Sequence, residues 1–190
     1  DSYVNFFVSR ACQDLLDRFK VSASKQRLAH FFAQAAHETG GFTLLRESLH
    51  YTTVAAIRKA WKSRASSMSD AEIKAKLLGQ PVALGDWAYG DRMGNKQPGD
   101  GFAYRGGGVF QTTGRSAYRE KGTLAGVDLE RNPELIERPE ISTLAACAEW
   151  DSFGGNALAD ADKVRRISRA INIGNKNSST PANGEADRIE

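Results

Sequence analysis

A mainly α fold, one domain over residues 1–190 with a loop-lined cleft and at most a short β-hairpin, follows from three features of the sequence. Apolar residues recur at spacings of three and four through the first third, the period of an amphipathic helix. Period-two alternation, the mark of a half-buried strand, is scarce. The middle, 79–108, is rich in Gly, Asp, Asn and Pro and reads as one long loop. Loops of that length are uncommon unless they line a site.

The elements follow in order. Val4, Phe7, Val8, Ala11, Leu15 and Phe19 mark one face of a first helix. Ser22 or Ser24 caps the second, whose Leu28, Phe31, Phe32, Ala35 and Ala36 make a broad apolar face. Gly40-Gly41 end it, as glycine commonly does past a helix C-terminus. Residues 53–62 and 69–78 read as two further helices, the later one capped by Ser69 or Asp70. Beyond the loop, helices are expected at 116–119, 141–151 and 161–171, then a loop over 174–183 and a helical end at 185–190. The hairpin would pair 102–104 with 109–112.

Composition narrows the function classes. With 41% hydrophobic and 26% charged residues the chain is long enough to bury a sizeable core and is neither disordered nor collagen-like. The net charge of +3 is too weak to argue for nucleic acid and compatible with an anionic polymer. No apolar run reaches the ~18–20 residues of a membrane span, so no stable membrane insertion is expected. Cys12 and Cys147 are too few for a disulfide scaffold and read as free, buried thiols. No signal-peptide pattern opens the chain, which begins at Asp1 without Met.

Glu38 stands in the last turn of an apolar helix. Partly apolar neighbours and the negative helix end both disfavour a carboxylate there, which suits a proton donor; the plain alternative is a solvated glutamate at a frayed end. Glu47 follows nine residues later. On an unbroken helix the two would lie on opposite faces, ~13 Å apart. A reversal at Gly40-Gly41 would instead bring Glu47 back opposite Glu38. Carboxylates ~6.5–9.5 Å apart with a water between them are the inverting-glycosidase arrangement. His37-Glu38 invites a zinc reading, but Gly41 stands where a zincin needs its second histidine. A site from His30, His37 and His50 is the less favoured alternative to packed histidines, and no metal or cofactor is expected. Gly106–Gly108 lack the Lys-Ser/Thr of a phosphate loop and read as a tight turn or a close approach to substrate. Among the aromatics, Trp61 reads as core, whereas Trp87 and Tyr89, placed in the loop, are candidates for stacking on a sugar. The basic stretch 163–169 reads as a solvated face more than a lipid- or wall-polymer contact.

An ordered set of motifs carries a resemblance. His37-Glu38-Thr39-Gly40-Gly41-Phe42 is followed by Glu47-Ser48-Leu49-His50-Tyr51. Asp91-Arg92-Met93-Gly94-Asn95 runs into Pro98-Gly99-Asp100-Gly101. Tyr104-Arg105-Gly106 leads to Phe110-Gln111-Thr112-Thr113-Gly114-Arg115 and Tyr118. Asn132-Pro133-Glu134-Leu135, a helix with Trp150, Ile171-Asn172 with Gly174, and Ala186-Asp187-Arg188 complete it. Together they resemble glycoside hydrolase family 19, its phage-endolysin branch more than its plant chitinases. The resemblance implies a lysozyme-like α-rich domain of two lobes around a cleft, with 79–108 as an insertion. It implies Glu38 as general acid, Glu47 as general base and Thr113 as a holder of the attacking water. Tyr104, Gln111, Asn172 and Arg188 would line the sugar groove or orient the carboxylates, with Trp87 against the sugar.

Three positions depart from the family pattern. Gly107 stands where Arg is usual, which removes a groove cation; Ala117 stands where Asn is common; Ile173 replaces a glycine. The function implied is a peptidoglycan hydrolase, muramidase- or endolysin-like, that cuts β-1,4 bonds between amino sugars and lyses the bacterial wall. The alternatives are a chitinase on chitin oligomers and a non-catalytic wall-binding module. The expected partner is a peptidoglycan (or chitin) strand, with an immunity protein if the chain is a delivered effector, and the expected state is a monomer. Synthesis in the cytoplasm and delivery to the periplasm by a holin or a secretion system complete the expectation.

Overall fold

Ser9 divides the first expected helix. In the computed structural model, which describes residues 2–188, α1 (Ser2–Phe7) and α2 (Arg10–Arg18) are separate. The backbone of Ser9 is extended and its hydroxyl accepts from the Cys12 amide at 3.2 Å. That cap outweighs the apolar periodicity, and Val8 is left exposed rather than on a buried face. Ser24 caps α3 (Lys25–Thr39), and Gly40 closes it at φ 56. Only glycine adopts that left-handed conformation without strain.

Phe31 and Ala35 of α3 are fully buried. Phe31 meets Trp150 edge-on at 5.4 Å and Phe110 at 5.2 Å. Trp150 belongs to α10 (Pro139–Ser152), which with α2 and α3 forms the main hydrophobic cluster. Cys12 and Cys147 lie inside it as free thiols.

A second cluster of Leu49, Ile57, Ile73, Leu77 and Leu84 is built by the chain after the reversal. It joins α4 (Val54–Ala60), α5 (Lys62–Ala65), α6 (Asp70–Lys76) and α7 (Pro81–Tyr89). Ser69 caps α6 with a full capping box to Glu72. The 79–108 segment is therefore not one loop. Pro81 opens α7, where its missing N–H is no loss, and Leu84 and Ala88 are buried.

The hairpin expected at 102–104 is also replaced by helix. The Asp86 carboxylate accepts from the Gly99 and Gly101 amides at 2.7 and 3.0 Å, and α8 (Asp100–Ala103) starts there. Among the described residues the strand pairing is two isolated bridges, Arg46 with Gly107 and Gly107 with Thr112.

Helix α9 (Arg115–Ala125) runs longer than expected, to a left-handed Gly126. A third cluster of Tyr104, Tyr118, Leu129 and Ile136 lies beneath it. An unforeseen α11 (Gly155–Asp160) precedes α12 (Val164–Ile173). The terminal helix expected at 185–190 is turns over 183–188, and its last two residues lie outside the described part. No helix among the described residues is long and apolar enough to cross a membrane.

Candidate active site

Glu47 is carried by a short extended segment. Its amide donates to the Gly106 carbonyl at 2.9 Å, and the Gly108 amide donates to the Leu45 carbonyl at 2.8 Å. The side chain of Gln111, whose backbone is left-handed at φ 45, donates to the Leu44 carbonyl at 2.7 Å. These bonds fasten the chain just past the Gly40-Gly41 reversal onto 106–111. The Arg105 Nε donates to the Glu47 carbonyl at 2.6 Å. The Tyr89 hydroxyl lies 2.9 and 3.0 Å from the two carboxylate oxygens. Burial raises the Glu47 proton affinity above the ordinary carboxylate value; Tyr89, the Gly106 backbone, Arg105 and Arg46 oppose it without overcoming it.

Asn95, 1% exposed, explains why Tyr89 is so placed. Its amide group donates to the Tyr89 carbonyl at 2.8 Å and its oxygen accepts from the Arg115 amide at 2.9 Å. Asp100 adds a pair with Arg115 at 2.6 Å. The polar middle of the sequence thus ties the end of α7 to the start of α9.

Glu38 has a different environment. Arg188, its side chain 1% exposed, donates to the Glu38 carboxylate at 2.7 Å. The same guanidinium donates to the Gln34 side chain at 2.9 Å and the Asn183 carbonyl at 3.1 Å. Glu38 therefore ends in a charged network, not in the apolar helix-end surroundings that its neighbours in sequence suggest.

A groove of about 960 Å³ runs past Glu38 and Tyr89; Glu47 is not among its lining residues and is linked to it through the Tyr89 hydroxyl. Glu38, Tyr89, Gln111, Thr113, Ala117 and Asn172 all line the groove. A Cβ placed on Gly106 would lie 3.4 Å from the Thr113 hydroxyl and 3.7 Å from a Glu47 oxygen. The closest contact of that Cβ would be Gln111 Oε1 at 2.8 Å, so glycine here leaves room for the Gln111 side chain. The wall also carries Lys121 and Glu149, 2.6 Å apart. Burial raises the Glu149 carboxyl to about 7 against the pull of Lys121. These two sit on different helices, and no local pattern in the sequence pairs them.

Two expected sugar contacts are corrected. Tyr104 is 4% exposed, stacked edge-on with Tyr118 at 5.3 Å, and donates to the Glu130 carbonyl at 2.6 Å. It is a core residue. Trp87 lies on α7, half-buried, packs against Trp61 at 6.1 Å in the second cluster, and is not among the groove's lining residues. Arg188 acts on Glu38 from behind the groove wall. The departure at Gly107 also has a structural answer. A Cβ there would meet Arg46 Nη1 at 2.7 Å, Ile136 at 2.8 Å and the Tyr118 hydroxyl at 2.8 Å. Position 107 faces that packed wall, whose cation is Arg46, and not the groove.

No group of three or more His, Cys, Asp or Glu suited to a metal occurs among the described residues. His30 pairs with Asp162 at 3.0 Å.

No family model matches the chain. It is 29% identical over 153 residues to a glycosyl hydrolase family 19 domain-containing protein of Haemophilus influenzae, an alignment that covers 80% of this chain and 72% of that one. The chain resembles glycoside hydrolase family 19. That likeness to a family 19 protein accords with the helix-rich architecture.

Proposed function

We propose that the chain hydrolyses β-1,4 bonds between amino sugars of peptidoglycan by an inverting, two-carboxylate mechanism. The observation that carries the reading is a groove lined by Glu38 and by Tyr89, whose hydroxyl holds the Glu47 carboxylate at 2.9 Å, with the two carboxylates in unlike settings. Glu38 is held by Arg188, and Glu47 is held by Tyr89 and partly buried.

In this mechanism Glu38 protonates the glycosidic oxygen. Arg188 fixes the rotamer of Glu38 through a fork also anchored on Gln34. Glu47 takes a proton from water as the water attacks the anomeric carbon. Its raised proton affinity makes it a stronger base once ionised. The Thr113 hydroxyl, which donates to the Gln111 carbonyl at 3.0 Å, has lone pairs and a rotatable proton to hold that water. Gln111 and Asn172 line the groove for the sugar. An oxocarbenium-like transition state is favoured by an ionised Glu47 beneath it.

Residues 1–190 act as one catalytic unit in this reading, on glycan strands at the bacterial wall. Mass spectrometry of products from purified peptidoglycan tests it, with Glu38→Gln as control. New muropeptides with ordinary reducing muramic ends, absent in the control, are expected. Anhydro ends would overturn hydrolysis, and reducing glucosamine ends would move the cut to the other linkage. Release only from chitin oligomers would replace the substrate.

A further inference from the structure

The wall of the groove near Glu38 holds charges that the hydrolytic step does not use. Lys121 of α9 and Glu149 of α10 meet at 2.6 Å with side chains 16% and 7% exposed. Lys176 lines the same groove, and its ammonium donates to the Phe153 carbonyl at 2.8 Å, at the C-terminal end of α10. Glu120, 67% exposed, is 4.0 Å from the Lys121 nitrogen, beyond hydrogen-bond reach.

An ion pair drawn out of water gains little for stability, because desolvation consumes most of the Coulomb attraction. A neutral polysaccharide offers such a pair nothing in return. An ammonium, however, has three donors. Among the described residues Lys121 meets one carboxylate within hydrogen-bond reach, that of Glu149.

We propose that Lys121, held by Glu149 and sharing the groove lining with Lys176, forms a subsite for a substrate carboxylate, so that the groove selects carboxylate-bearing glycan strands over neutral ones. The proposal rests on the peptidoglycan reading, in which that carboxylate belongs to the stem peptide or to the lactyl group.

The test is a charge-by-charge cycle on KM. Intact strands present stem carboxylates, and amidase-stripped strands present lactyl carboxylates; each is used native and with its carboxylates capped as amides. For one charge-assisted hydrogen bond, capping is expected to raise the wild-type KM about tenfold on one of the two strand types, which identifies the source. Lys121→Met raises KM on the native form of that strand by a similar factor and is then indifferent to capping. Lys121→Arg keeps the cation and the response. The Lys121→Met/Glu149→Gln pair removes both charges and leaves no carboxylate unpaired, so it repeats the measurement should the single variant unfold. If capping and substitution act independently, so that their factors multiply, the subsite is refuted. Failure of the wild type to release product from any strand is a different result, and it sinks the peptidoglycan reading itself.

Discussion

The Tyr89 hydroxyl sits 2.9 and 3.0 Å from the two oxygens of Glu47, and it joins the end of α7 to the segment that follows the glycine reversal. The hydrogen bond favours the ionised carboxylate, against the burial that disfavours it. Tyr89→Phe removes one of the groups that favour the ionised form, so the proton affinity of Glu47 rises further. As a base Glu47 works deprotonated, so the acid limb of the kcat/KM profile moves to higher pH. A profile that moved to lower pH would contradict the role of Tyr89.

Glu47→Gln is expected to abolish turnover without loss of stability at neutral pH. The folded protein holds this carboxyl above its unfolded value. Its contribution is therefore full below the unfolded value and is lost as pH rises through the folded one. At pH 7.5 the variant should melt at or above the wild-type temperature, and the gap should close below about pH 4. Thermal unfolding at the two pH values decides this.

Glu38→Gln should behave oppositely in stability while also losing turnover. It strips the countercharge from Arg188, whose side chain is 1% exposed. Gln keeps an acceptor oxygen, so the loss is about 2 kcal/mol, short of the figure for a fully broken buried pair. A melting temperature unchanged from wild type would show that the ion pair is energetically neutral.

Gly107→Ala tests the packed wall. The new methyl would press on Arg46, Ile136 and Tyr118 at less than 3 Å. A destabilisation of about 1–3 kcal/mol is expected from overpacking. Chemical denaturation measures it directly.

The thiols should be inert in the native protein. Burial pushes Cys147 up to about 12 and raises Cys12 as well. Reaction with a thiol reagent at pH 8 should be slow until the chain unfolds, when both cysteines titrate. Rapid modification of the native state would mean that the main cluster opens readily.

Local chemistry in the sequence decided the caps and the breaks. Ser24, Ser69, Gly40 and Gly126 mark helix ends because a hydroxyl or a left-handed backbone acts within three or four residues. The resemblance, and not the glutamate spacing, singled out Glu38 and Glu47. The sequence alone also misled where two local signals competed. Ser9 prevailed over the apolar stripe of the first helix, and Pro81 and Asp86 built helices inside a segment that composition marks as loop.

Tertiary structure alone decided which side chains meet. Tyr104 and Trp87 are aromatic in either setting, and only packing against Tyr118 and Trp61 removed them from the groove. Arg188 reaches Glu38, Tyr89 reaches Glu47 and Lys121 reaches Glu149 across separate elements. Spacing along a chain carries contact information within a helix or a turn. Beyond that range the partner of a charge is set by how helices pack, and that is where the electrostatics of this groove were made.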